Sequence, residues 1–159
     1  MPAQTLDRVL KAWRIGDPDG AYPIFDAYGA TLYPGRWNKQ YISMIYASAS
    51  YSTAMLEKLV HGSGSMPPNQ HFIEIIIPEG VTYEIVTKDA LPGWASEDGA
   101  TSKDWGARWA SETRSLLLIV PSIAAREEQN ILINPAHPEF GNLTTTFPTP
   151  VWWDSRLFD

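Results

Sequence analysis

Leu116-Leu117-Leu118-Ile119-Val120 is an unbroken apolar run, fenced by Ser115 and Pro121. A run so short and so continuous suits a buried strand rather than a helix. A buried strand needs neighbours, and the chain offers several. Val9 to Ile15, Ile42 to Ser48, Phe72 to Ile77, Val81 to Val86 and Ile131 to Ile133 all read as strands. The turn Pro78-Glu79-Gly80 joins the third and fourth of these in a hairpin-like arrangement. Only two helices are convincing. One is capped by Ser50 or Ser52 and runs to about His61, where Gly62 stops it; the other spans Ser102 to Ser115, with Trp105 and Trp109 on one face. Strands outnumber helices, so the expected class is α+β: twisted sheet with flanking helices packed against it.

The remaining segments are punctuation or irregular. Gly16 to Gly20 forms a turn, which leaves Arg14 near a strand end. Residues 21–40 read as a loop carrying Tyr22, Tyr28 and Tyr33, and 88–101 as another. The C-terminal tail, with Trp152, Trp153 and Phe158, is too aromatic for a solvated terminus and is expected to dock on the domain. At 159 residues, 44% hydrophobic and 19% charged, one globular domain over 1–159 is the default.

Composition removes several kinds of chemistry. There is no cysteine, so disulfides, thiolate nucleophiles and cysteine zinc sites are excluded. A net charge of -6 without a basic block argues against direct binding to nucleic acid. Neither a signal-like start nor a membrane-length apolar run is present, and a cytoplasmic location is the simplest expectation.

The candidate residues each have a plain alternative. On the first helix Met55, Leu56, Leu59 and Val60 form the expected apolar stripe, with Glu57 just beyond its border. A carboxylate held there can stabilise positive charge forming on a sugar ring, although position alone favours an ordinary glutamate paired with Lys58 or His61. Arg14 and Arg36 both sit beside turns, where a guanidinium can clamp a pyrophosphate or simply brace a loop. Ser122 follows the buried run and Pro121, a place for a ligand-binding hydroxyl or for a turn serine. No Gly-x-Ser-x-Gly elbow and no glycine-rich phosphate loop exists. His61, His71 and His137 are too scattered for a metal, and Asn134-Pro135-Ala136-His137-Pro138 reads as a proline-locked turn.

Gly35-Arg36-Trp37-Asn38, Tyr46-x-Ser48 with Leu56-Glu57, Val120-Pro121-Ser122 and Asn130-x-Leu-x-Asn134-Pro-x-His137-Pro occur in that order. The ordered set resembles the RES domain, the toxin half of a bacterial toxin–antitoxin pair, over about residues 9–140. Pro34 stands where the family usually has a glycine, and residues 88–104 look long for it. The resemblance implies an ADP-ribosyltransferase-like fold and an enzyme that consumes NAD as substrate, with no cofactor; no metal is expected, because no ligand set has plausible spacing. It assigns catalysis to Glu57, Arg14 and Ser122, and substrate binding to Arg36, Tyr28, Tyr46, Ser48 and Asn134, with Arg36 the other candidate for the family's arginine. The acceptor of ADP-ribose is left open among water, phosphate and a host protein side chain. The implied partner is a small DNA-binding, Xre-like antitoxin that occludes the site. A non-catalytic nucleotide-binding or protein-interaction module is the alternative of a different class.

Overall fold

The computed structural model describes residues 3–62 and 64–158. The described residues form strands β1 (Gln4–Thr5), β2 (Leu10–Gly16), β3 (Ile45–Ser48), β4 (His71–Ile77), β5 (Thr82–Ile85), β6 (Leu117–Pro121), β7 (Gln129–Ile133), β8 (Thr144–Thr145) and β9 (Thr149–Pro150). Three α-helices, α1 (Tyr28–Leu32), α2 (Tyr51–Val60) and α3 (Ala100–Ser111), and two 3₁₀ turns accompany them. The strands join into one sheet in the order β1-β5-β6-β7-β3-β2-β4-β8, with β9 also paired to β4. Among the described strands only β5 and β6 run parallel.

The apolar run does what its composition demands. Every residue of β6 is buried, and its side chains alternate between two cores. Leu117 and Ile119 join Ile131 and Ile133 of β7, Ala12 of β2 and Ile73, Ile75 and Ile77 of β4. Leu118 and Val120 face the other way, with Leu132, Met44, Trp37, Trp94 and the fully buried Trp109 of α3. Because β4 and β6 are remote in strand order yet share a core, the sheet curls on itself. The α+β reading holds.

The hairpin reading does not. One edge of β4 pairs with β2 from Leu10↔Ile77 to Gly16↔His71, and its other edge takes β8 and β9. No edge is left for β5. The turn instead carries the chain to the opposite end of the sheet, where the Gly80 N–H donates to Leu6 O and the Leu6 N–H donates to Val81 O.

The helices also shift from expectation. Ser50 caps α2 by accepting the Thr53 N–H. Thr53 and Ala54 form its buried face, while Leu56 and Val60 are 37% and 54% exposed, so the expected stripe is misplaced. Two small residues let α2 lie close on β2 and β3, and the same face continues, four residues on, to Glu57 and Lys58. The second helix begins and ends earlier than its pattern indicates, since Thr113 takes a positive φ of 52° and Ser115 turns inward to accept from Trp109 Nε1. The tail docks through β9 and buried Trp153, but Trp152 points outward at 77% exposure. No helix among the described residues is long and apolar enough to cross a membrane.

Candidate active site

The segment 21–40, read as irregular, is organised by one side chain. Asn38 is fully buried; its Nδ2 donates to the carbonyls of Ala30, Lys39 and Ile42, and its Oδ1 accepts from the Gly35 N–H at 2.8 Å and the Tyr46 hydroxyl at 2.6 Å. The Tyr46 oxygen in turn accepts the Trp37 N–H at 2.9 Å, and burial pushes this phenol's pKa up. Gly35 is required by closeness: a Cβ there would lie 2.6 Å from Tyr46 Cζ. The Gly-Arg-Trp-Asn string is thus a folded corner pinned to β3, and Arg36 projects from it.

Arg36 forms one wall of a cleft of about 720 Å³, whose other walls include Arg14 of β2, Tyr46 and Ser48 of β3, Glu57 and Lys58 of α2, Lys103 of α3, and Asn130 of β7. Its cations are partly committed to the fold. Arg36 Nη1 donates to the carbonyls of Trp94 at 3.0 Å and Ser96 at 2.8 Å, and Lys103 Nζ to Gly35 O at 2.7 Å. Arg14 spends Nε on Ile24 O at 2.6 Å, Nη1 on Tyr46 O at 2.7 Å and Nη2 on Asp26 O at 3.4 Å. Burial lowers the Arg14 pKa, with the Asp26 carboxylate opposing.

Glu57 is held from behind by a chain of polar groups. Ser122 Oγ donates to Glu57 Oε1 at 2.6 Å, and Asn130 Nδ2 donates to the same oxygen at 2.9 Å. Asn130 Oδ1 accepts from Ser48 Oγ at 2.8 Å, which orients the amide so that its NH₂ faces the carboxylate. The sheet register builds this chain: Asn130 of β7 pairs with Ser48 on one side and Val120 on the other, two residues before Ser122. Short bonds to an ionised acceptor are the stronger kind. Both converge on Oε1, and Glu57 Oε2 has no hydrogen-bond partner among the described residues. The arrangement is a fixed carboxylate presenting one free oxygen beside several cations.

The model of the RES domain matches residues 11–154, nearly the whole chain. The chain belongs to the RES-domain family. Among curated relatives it is 41% identical over 134 residues to a Prs ADP-ribosylating toxin of Sphingobium sp., covering 80% of this chain and 83% of that protein. It is 36% identical over 133 residues to Toxin Res of Yersinia enterocolitica, covering 82% and 88%. Among solved structures it resembles the M. tuberculosis MbcT–MbcA toxin–antitoxin complex, with a TM-score of 0.73 at 14% identity over 92% of this chain and 86% of that one. At that identity the likeness concerns the fold alone, a twisted sheet with flanking helices.

In this RES-domain chain the expected site residues divide into three groups. Glu57, Arg14, Arg36, Tyr46 and Ser48 line the cleft. Ser122 is fully buried behind it and reaches it only through Glu57. Tyr28 and Asn134 do not line it. Tyr28 is 52% exposed and packs on Tyr22, with ring centroids 5.0 Å apart; Asn134 is buried, with Nδ2 on Ala110 O and Oδ1 accepting the Ala136 N–H. Two residues without an assigned role also line the cleft, Asn130 and Lys58. Asn130 had a visible signal in the RES string it opens, but its cross-strand partner Ser48 depends on a register that no local pattern encodes. Among the described residues, no three His, Asp or Glu side chains gather as a metal site would require.

Proposed function

We propose that this chain is the toxin of a toxin–antitoxin pair and cleaves the nicotinamide–ribose bond of NAD. The observation that carries the reading is Glu57: a carboxylate pinned through Oε1, with Oε2 free in a cleft lined by Arg14, Arg36, Lys58 and Lys103. Breaking the C1′–N bond leaves the electron pair on nicotinamide, which departs neutral, and places positive charge on the ribose. A preorganised carboxylate stabilises that charge without reorganising during the step. The acceptor then adds at C1′ through oxygen or nitrogen and gives up its proton, with Glu57 as the base that this reading assigns. ADP-ribosylation in the Sphingobium relative's name and the toxin names of the others support this chemistry.

Within this reading Glu57 is the catalytic residue, and Ser122, Asn130 and Ser48 position it. Arg36 keeps Nε and Nη2 free of protein partners among the described residues and binds substrate phosphate, while Arg14 holds the corner between β2, β3 and the 24–26 loop. The partner is an antitoxin that covers the cleft mouth with a terminal segment.

NAD labelled in its adenylate portion tests the proposal. The purified chain is incubated in plain buffer, with inorganic phosphate, and with bacterial lysate. Nicotinamide should be released, and the fate of the label, as free ADP-ribose, phosphorylated ADP-ribose or labelled protein, identifies the acceptor. No nicotinamide in any arm, from folded protein, overturns the reading.

A further inference from the structure

Three of the four cations that line the cleft have donors engaged with backbone carbonyls; the fourth does not. Lys58 is half-buried, yet its ammonium has no hydrogen-bond or ion-pair partner among the described residues. Burial, and secondarily the charge of Arg14, lower its pKa. It lines both the main cleft and an adjoining cavity of about 150 Å³, which Arg14 also borders. On α2 it directly follows Glu57 and lies four residues after Ala54, the residue that seats the helix on the sheet, so its backbone is as firmly placed as the carboxylate's.

A partly desolvated ammonium with no acceptor is costly unless something anionic completes it. We infer that Lys58 anchors a phosphate oxyanion at the junction of the two cavities. Its compact charge and three rotatable donors suit a single phosphate oxygen, where an arginine would demand a planar pair. Two sources share this chemistry, the pyrophosphate of a dinucleotide substrate and free phosphate arriving as acceptor. The inference deepens the NAD reading, on which it rests for the identity of the ligand.

Binding measurements separate it from that reading, because they require no turnover. Calorimetric titrations of ADP-ribose and of inorganic phosphate would compare the wild-type chain with Lys58→Gln and Lys58→Arg. Loss of one charge-assisted hydrogen bond should weaken the responding ligand by about 10-fold or more in Lys58→Gln, and Lys58→Arg should recover part of it. A response to ADP-ribose assigns Lys58 to the pyrophosphate, and a response to phosphate alone assigns it to the acceptor. In steady state the pyrophosphate role raises the KM for NAD more than it lowers kcat, which a purely structural role would not do. Unchanged affinity for both ligands in a folded Lys58→Gln protein overturns the inference. Wild-type protein that binds ADP-ribose in a Lys58-dependent way but never releases nicotinamide keeps the subsite and removes the NAD-cleaving reading.

Discussion

Glu57 Oε1 receives two hydrogen bonds, and that asymmetry sets what single substitutions should do. Glu57→Gln preserves shape but removes the charge that faces the sugar, and the turnover of NAD is expected to fall on the order of 100-fold or more with the thermal transition nearly unmoved. A Gln variant that releases nicotinamide at the wild-type rate contradicts the assignment. Asn130→Ala and Ser122→Ala each leave one tether, so each should lower kcat by about 10-fold while KM changes little. Their double variant should lose less than the product of the two, since both act through the same oxygen. Strictly multiplicative losses in that cycle would show that Asn130 and Ser122 do not work through a shared carboxylate. Burial, not motif strength, separates Ser122, whose hydroxyl bonds only Glu57 and the Ala125 N–H among the described residues, from a nucleophile.

At the scale of elements, α3 and the Arg36 corner are fitted backbone to backbone. Gly106 on α3 lies so close to Trp37 that a Cβ would overlap the Trp37 carbonyl, and backbone cannot rotate away as a side chain does. Gly106→Ala should therefore cost about 2 kcal/mol or more of stability and raise the KM for NAD by displacing Arg36, even though alanine is the better helix former. Denaturant unfolding checks it, and an Ala variant at least as stable as wild type would refute the packing argument. The same elements show what a sequence can reveal. β6 was readable because five apolar residues in a row admit few other states, and α2 because Ser50 and Gly62 bracket it. Its buried face was not readable: Thr53 and Ala54 are chosen for closeness to β2 and β3, and hydropathy points instead to Leu56 and Val60. The strand pair around Pro78-Glu79-Gly80 looked like a hairpin because turn chemistry is local, while the occupancy of both β4 edges is not. Position alone favoured an ordinary glutamate at 57, and only the ordered RES strings singled it out; the contacts of Asn130 follow from sheet register, and Lys58 is distinguished by having no acceptor among the described residues.

For the molecule as a whole, the net charge is -6, yet the cleft wall gathers Arg14, Arg36, Lys58 and Lys103 against Glu57, Glu97 and Asp98. An acidic body repels nucleic acid, and a cation-lined cleft draws small anions or an acidic peptide end. A DNA-binding antitoxin would thus give the pair its reach to DNA, and its terminal carboxylate or an acidic side chain would meet Arg36 and Lys58, the phosphate anchors proposed above. Occlusion of this kind makes antitoxin and substrate mutually exclusive. The purified toxin–antitoxin complex should release nicotinamide at least 10-fold more slowly than the free toxin, and ADP-ribose should bind the complex correspondingly more weakly. If the terminal segment alone occludes the cleft, truncating it should restore both without dissociating the complex. The rival geometry is docking on the exposed aromatic residues of the tail, Phe147 and Trp152, with the cleft left open. A complex that binds ADP-ribose and cleaves NAD as fast as the free chain would establish that geometry instead, and Trp152→Ala would then weaken assembly where cleft variants do not.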